Sequence, residues 1–295
     1  MLDFKKPALE DNSWIKPILN TSFGLGAENA FGTILIWSDS YNLEVCHYKN
    51  FLLRRYSEAG KQFFLFPVGS GDLKDCLNTL FDYSIGKNND IIFTGLTQKY
   101  MEQLEELFPD KFEYLEERDK EDYIYNSFDL MNLKGKKYHS KRNHISKFNR
   151  LYNWTFEEIC ADNIDECKSF CDKWFLENMD AKRQDIIYEK YAINKAFEFY
   201  KELFFVGGII RVDGNIVALT FGEKINKHIF DIHFEKALKE YTGAYSLINN
   251  EFAKRYLSEF SYINREEDLG IAGLRQVKLS YHPVALLKRY KAFLR

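Results

Sequence analysis

Cysteine is sparse in this 295-residue chain, with five in all: Cys46, Cys76, Cys160, Cys167 and Cys171. The odd number, and the absence of any Cys-x-x-Cys pair, fit a reducing compartment and argue against a disulfide framework. Cys167 and Cys171 stand one helical turn apart, but no histidine lies near them, so they read as buried thiols and no metal is expected. Long apolar runs are missing too. No window reaches 18 apolar residues, which excludes a membrane-spanning helix, and the opening MLDFKKPALEDNSW has no apolar signal-peptide core. A cytoplasmic location is therefore expected. Nor does one sign of charge prevail: a net charge of −3 argues against a general nucleic-acid coat protein but leaves room for a local basic patch.

What the chain has in quantity is aromatic side chains, 17% of its residues, dominated by 26 Phe and 19 Tyr. These suit large cores and half-exposed tyrosines able to stack on, or hydrogen-bond, a ligand. The length fits two domains of ordinary size.

The second half reads most clearly. Trp154 to Ile159 alternates as a strand, and Asn163 or Asp165 caps a helix through Cys167, Phe170, Trp174 and Phe175. A second helix is expected near Ile187 to Leu203. Two β-rich runs, Phe205–Val212 and Ile216–Glu223, flank Asp213-Gly214, a strong hairpin signal. A third strand, His228–Glu235, is followed by a helix over Tyr245–Phe260, a strand at Tyr262, a helix at Leu274–Ser280 and a final strand near Val284–Lys291. The last meander strand and the Tyr262 strand should be parallel. That order, β-α-α-β-β-β-α-β-α-β, is the order of a GNAT-type acyltransferase fold.

The first half repeats it weakly. A helix near Ala8–Leu19 precedes strand signals at Thr33–Trp37, Leu43–Tyr48, Phe51–Tyr56 and Gln62–Val68. Asp72 caps a helix to about Tyr83, Ile91–Thr94 is a strand, Thr97 caps a helix to Phe108, and Phe112–Glu116 is a strand. The expected architecture is mixed α/β: two tandem GNAT-like lobes, residues 1–118 and 151–295, joined by a basic linker or helix at 119–150, with a cleft between the lobes. The repetition is one of element order, not of residues.

Several stretches carry a family resemblance: Asp231-Ile-His-Phe-Glu-Lys-Ala237, Gly243-Ala-Tyr245, Ile248-Asn-x-Glu-Phe252, Tyr262-Ile-Asn-Arg-Glu-Glu-Asp-Leu-Gly270 and Lys278-Leu-Ser-Tyr-His-Pro283. They resemble a bacterial family related to the C-terminal synthase domain of phosphatidylglycerol lysyltransferase and, more distantly, the Fem-type peptidoglycan-bridge aminoacyltransferases. The resemblance implies two GNAT-like lobes and transfer of an aminoacyl group from a charged tRNA. The flippase part of the lysyltransferase has no counterpart in these residues. The relatives carry a late Phe-Lys-x-Lys-Phe-x-Pro motif; here Val277-Lys278-Leu-Ser280-Tyr281-His-Pro283 keeps the first lysine, an aromatic and the proline. The resemblance implies that Lys278 faces the reacting carbonyl, where a cation stabilises the developing oxyanion. The second lysine is Ser280. The alternative for Lys278 is a snorkelling surface lysine.

Other candidates come from pattern. Asp231, His233 and Glu235 share one strand face at period two and suit amine binding or general base work, Glu235 standing where GNAT enzymes often place a base; the alternative is an internal ion network. Arg265, Glu266, Glu267 and Asp268 crowd the end of a buried strand. The acids suit an ammonium, and Tyr281 and His282 are candidate proton donors. In a CoA-using enzyme a phosphate cradle precedes the central helix. Its equivalent is Glu240-Tyr-Thr-Gly243-Ala-Tyr245, where Glu240 repels phosphate and Tyr245 fills a position that should be small. Gly243 and Tyr245 remain candidate contacts for another anion. The run Lys134–Arg150 holds seven Lys/Arg, two His and no acid, and Lys137, Lys141 and Arg142 are candidates for a polyanion such as tRNA, against a plain solvated helix.

The leading expectation is thus an aminoacyl- or acyltransferase acting on an amine or hydroxyl acceptor, a small molecule or a lipid headgroup reached by peripheral membrane contact. It would use no tightly bound cofactor, the donor being aminoacyl-tRNA or acyl-CoA. The alternatives are an acyl-CoA-dependent N-acetyltransferase and a non-catalytic binder of tRNA or a small molecule.

Overall fold

The computed structural model describes residues 2–22, 24–87, 90–179 and 184–295. The chain divides into two compact units, each discontinuous. One comprises Met1–Asp122, Glu267–Ala272 and Leu286–Arg295; the other comprises Tyr123–Glu266 and Gly273–Ala285.

The first unit opens with α1 (Asn12–Leu19) and α2 (Phe31–Ile36). The strand expected at Thr33–Trp37 is this second helix. Phe31, Ile34, Leu35 and Ile36 are all buried, and a short apolar run of that kind has no period to separate strand from helix. β1 (Glu44–Tyr48), β2 (Phe51–Glu58) and β3 (Lys61–Gly69) form an antiparallel meander. α3 (Leu73–Ile85) follows, its N-terminus closed by Asp72, which accepts from the Asp75 amide at 2.9 Å. β4 (Ile92–Leu96) then runs parallel to β3. Thr97 caps α4 (Gln98–Leu107), which leads to β5 (Phe112–Glu116). Phe64, Phe66, Phe93 and Phe112 meet in the core with Leu77 and Leu80.

Of residues 119–150, expected as a linker, 119–122 belong to the first unit, and 123–150 are built into the second unit's sheet and core. They contain β6 (Asp122–Asn126), α5 (Ser127–Asn132) and α6 (His139–Leu151). β6 pairs with a later strand, and Phe148 of α6 is fully buried in a core cluster with Val217, Leu247 and Ile248. Burying one such ring is worth about 1.5–3 kcal/mol. The basic stretch read as a connector because its apolar side, Ile145, Phe148 and Tyr152, is only three residues wide.

β7 (Trp154–Glu158), α7 (Ile164–Asn178) and α8 (Gln184–Glu198) lead into the meander of β8 (Val206–Val212), β9 (Asn215–Asn226) and β10 (Ile229–Ala237). Asp213 and Gly214 make the hairpin, both at positive φ (50° and 81°). α9 (Ala244–Tyr256) returns the chain to β11 (Tyr262–Asn264), parallel to β10. The same sequence of meander, helix and parallel strand therefore occurs in both units.

The C-terminal part differs from expectation. After α10 (Ala272–Leu279), the single strand expected near Val284–Lys291 is two: β12 (Ala285–Leu287) and β13 (Tyr290–Leu294). The sheets run β1-β2-β3-β4-β13-β5 and β12-β6-β11-β10-β9-β8-β7. The break between the strands holds Arg289, which is 4% exposed and pairs with Glu28 at 2.6 Å and Asp122 at 2.8 Å, all in the first unit. A guanidinium satisfied by two carboxylates is a strong local anchor.

Candidate functional site

β10 and β11 pair over three residues only, from Ile229↔Tyr262 to Asp231↔Asn264. Beyond that point the backbone of residues 265–266 stays bonded to β6, through Arg265 N to Tyr123 O at 3.1 Å and Tyr123 N to Glu266 O at 3.2 Å. Side chains take over on the β10 side, and two charged groups result.

The first surrounds His233, whose ring is fully buried. Its Nε2 lies 3.1 Å from Glu223 Oε1, its Nδ1 3.0 Å from Glu266 Oε1 and 3.4 Å from Asp231 Oδ2. Burial pushes the imidazole pKa down, but Asp231 and the hydrogen bonds to Glu223 and Glu266 overcome it and raise it well above the ordinary value of 6.5. His233 is thus an imidazolium donating at both nitrogens. Asp231, His233 and Glu266 could between them offer a cation three ligand atoms, all within 4.8 Å of one another. A metal needs the imidazole neutral, and the carboxylate on each side favours the proton. The cluster reads as the internal ion network.

The second group centres on Glu235. Arg265 Nη2 donates to its Oε1 at 2.8 Å, and Asn249 Nδ2, from α9, donates to its Oε2 at 2.9 Å. Arg265 lies over the rings of Tyr281 and Tyr125, 4.7 Å and 5.5 Å from their centres. Lys141 Nζ lies 3.8 Å from the centre of the same Tyr281 ring and has no carboxylate partner among the described residues. Burial, then repulsion from Arg265, pushes its pKa down to about 8, against the pull of Glu235. Tyr281 itself is buried, 3.5 Å from Ser246 Oγ, and desolvation pushes its phenol up to about 12.

Lys278 is 8% exposed, not a snorkelling surface lysine. Its Nζ donates to the carbonyls of Arg265 (2.6 Å) and Glu266 (3.1 Å), while Tyr125 Oη donates to its own carbonyl at 2.8 Å. It holds the backbone that carries Arg265, including Glu266 at φ 54°.

The acidic run does not gather in one place. Glu266 joins His233, whereas Glu267 and Asp268 belong to the first unit. There Asp268 is fully buried, accepting from the Gly270 amide at 2.9 Å and pairing with Arg118 at 3.4 Å. His282 is exposed and tied to the Lys137 carbonyl at 3.1 Å, with φ 53°.

At the N-terminus of α9, Gly243 has φ 101°, and a Cβ there would sit 2.5 Å from the His144 carbonyl oxygen and 3.4 Å from Phe148. Helix α6 is packed on that turn. Tyr245 is 40% exposed, its hydroxyl 3.3 Å from Trp174 Nε1, and Glu240 pairs with Lys173. Of the basic residues of this region, Lys137 is held by Asp129 at 2.9 Å, and Arg142 donates to the carbonyls of Leu133 and Gly135. Lys141 is the one turned toward Tyr281.

Sequence reading missed Glu223 and Asn249. The signal for Asn249 is present: Ser246, Asn249 and Asn250 are buried polar residues at spacing 3 and 4 on a helix otherwise apolar toward the core, a pattern that marks a polar seam facing inward. Asn250 spends its amide on the carbonyls of Leu130 and Met131. Glu223 had no such signal, because its pairing to Asp231 depends on the hairpin register.

Among the described residues no helix is long and apolar enough to cross a membrane. The fold is similar to that of a conserved protein of unknown function from Bacteroides thetaiotaomicron VPI-5482, 36% identical, with full coverage of both chains and a TM-score of 0.95. It is also similar to the C-terminal domain of a putative lysylphosphatidylglycerol synthetase from Agrobacterium fabrum, at 16% identity, covering 97% of this chain and 92% of that one, with a TM-score of 0.71. A tandem GNAT protein of clavulanic acid biosynthesis shares the fold at 10% identity, 99% and 98% coverage and a TM-score of 0.52. A curated relative, an uncharacterized protein of Mycoplasmoides gallisepticum, is 23% identical over 57% of this chain, and the match spans 54% of that protein's length. The tandem acyltransferase fold is therefore shown. The model of the family described as phosphatidylglycerol lysyltransferase, C-terminal, matches residues 23–293, and the chain belongs to that family.

Proposed function

We propose that the chain transfers an aminoacyl group from a charged tRNA to an amine or hydroxyl acceptor, with a lipid headgroup among the acceptors that fit. The observation that carries this reading is the packing of α6 on Gly243. In a CoA-dependent enzyme of this fold the turn before the central helix cradles pyrophosphate with its amides. Here a carbonyl oxygen, that of His144, stands against that turn, where a Cβ would come within 2.5 Å of it. An oxygen lone pair at that spot opposes a phosphate. Glu240 adds a negative charge nearby, spent on Lys173.

In the proposed reaction the acceptor heteroatom attacks the ester carbonyl carbon of the donor. The new amide or ester bond forms, the bond to the ribose oxygen breaks, and the acceptor's proton ends on that oxygen. Arg265 supplies fixed positive charge for the oxyanion, Glu235 holds the guanidinium in place, and Lys278 holds the backbone that carries it. Lys141, pushed down to about 8, is able to give or take a proton near neutral pH.

The test is incubation of purified protein with a mixture of aminoacyl-tRNAs and, separately, acetyl-CoA, in the presence of phospholipid vesicles and of polyamines, with products read by mass spectrometry. Aminoacylated product from the tRNA arm is the expected result. Product from the acetyl-CoA arm alone would replace this reading with the CoA-dependent one, as would an acetyl-CoA affinity tighter than about 10 micromolar, roughly −7 kcal/mol.

A further inference from the structure

Both ligands of the Glu235 carboxylate leave one polar atom without a partner. Arg265 spends Nη2 on Glu235, and its Nη1 is buried with no hydrogen-bond partner among the described residues. Asn249 spends Nδ2 on the other oxygen of the same carboxylate, and its Oδ1 is likewise buried and unpartnered. The Asn249 orientation is fixed by chemistry, because an ionised carboxylate only accepts and so must face the amide nitrogen. Arg265 keeps 8% of its side chain exposed and Asn249 is 1% exposed. A native fold leaves few such atoms unsatisfied, and each one calls for a reason.

The two orphans are of opposite kind. Nη1 is a donor and Oδ1 an acceptor, and Glu235 holds them on either side of one carboxylate. Their complement is a group that presents an acceptor and a donor a few bonds apart. An α-aminoacyl ester has this form, with its carbonyl oxygen and its α-ammonium. A simple acyl ester has only the first half.

Resting on the reading above, we infer that Arg265 Nη1 and Asn249 Oδ1 are the recognition pair for the aminoacyl group, Arg265 taking the carbonyl oxygen and Asn249 the α-ammonium. Glu235 orients both and lends the ammonium its charge. The pair selects α-amino over plain acyl donors. Lys141 borders the pair: it rests on the Tyr281 ring that Arg265 also faces. Lys278 is a positioning residue, acting through the Arg265 carbonyl.

The experiment compares matched ester probes on the full chain by NMR titration: alanine methyl ester against methyl propionate, and lysine methyl ester against methyl 6-aminohexanoate. Each pair differs only in the α-amino group. Tighter binding of the α-amino member by about tenfold or more is expected in both pairs, as a charge-assisted hydrogen bond provides. Asn249→Leu should erase the preference, so that the two members of each pair bind alike. Arg265→Lys, which can still pair with Glu235, should weaken both members alike. Equal binding of the matched esters by the native protein overturns the inference whatever the variants do, and so does a preference that survives in Asn249→Leu. If that variant loses its cooperative melt, Asn249→Ser takes its place. A protein that transfers from aminoacyl-tRNA yet shows no α-amino preference refutes this inference alone. One that uses acetyl-CoA and no aminoacyl-tRNA refutes the function proposed above.

Discussion

Gly243 and His144 meet so closely that a Cβ on the glycine would come within 2.5 Å of the histidine's carbonyl oxygen. The glycine also sits at φ 101°, a backbone conformation that other residues adopt at a cost. Helix α6 therefore uses the missing side chain as its seat on α9. Gly243→Ala should lose about 1–3 kcal/mol from the backbone alone, and more from the displaced helix. Urea unfolding would show this as a lower midpoint at unchanged slope. A change within about 0.5 kcal/mol, the range of ordinary surface substitutions, would mean that α6 is not seated there.

The basic stretch over residues 134–150 is less uniform than its sequence. Lys137 and Arg142 are engaged with Asp129 and with backbone carbonyls, whereas Lys136, Lys147 and Arg150 are exposed. If this face meets tRNA, binding should weaken steeply with salt, as counterion release requires. Changing Lys136, Lys147 and Arg150 to Ala together should flatten the salt slope more than changing Lys137, Lys141 and Arg142. Equal slopes in a filter-binding series for the native protein and the first triple variant would leave α6 a solvated helix face.

Much of this architecture was legible because helix and strand periods, Asp-Gly turns and side-chain caps are local. Asp72, Thr97 and the Asp213-Gly214 hairpin act through residues within four positions of themselves. What escaped was non-local. β13 lies between β4 and β5 through pairing across more than 170 residues, and nothing in Tyr290–Leu294 names its partner. Phe148 alone could not announce that a basic helix was also a core helix. At the site, Glu235 and Arg265 were readable as charges in the wrong place to be idle. Their pairing, the two atoms left over, and the commitment of Lys278 to carbonyls all depend on where β10 and β11 part company.

Lys278 tests the difference between a reacting group and a support. Its ammonium donates to two backbone carbonyls in a buried setting. Lys278→Met keeps the length and removes both bonds, and should cost about 1.5–3 kcal/mol, the range for hydrogen bonds from a charged group. Turnover should fall with it, since Arg265 loses its backbone anchor. A variant that melts like the native protein yet has lost turnover would return Lys278 to the carbonyl-facing role.

His233 gives the site a pH signature whose sign follows from its neighbours. Three carboxylates, Glu223, Asp231 and Glu266, stand within 3.4 Å of its ring nitrogens and raise its pKa well above 6.5 despite burial. A group whose folded pKa lies above its unfolded value stabilises the fold most where both states carry the proton, and the stabilisation changes with pH only where the two states bind it differently. The contribution is complete below about pH 6.5, the unfolded value, and is lost as pH rises through the raised folded value. His233→Gln should therefore cost most at pH 6, where it removes a buried cation from between its carboxylates, by about 3–5 kcal/mol. The gap between native and variant should narrow steadily toward alkaline pH. Urea unfolding at pH 6, 7.5 and 9 reads the gap directly, and nitrogen NMR of the ring should find both nitrogens protonated at pH 7.5. A gap independent of pH would make the imidazole neutral, and a neutral His233 beside Asp231 and Glu266 would then be open to a metal ion.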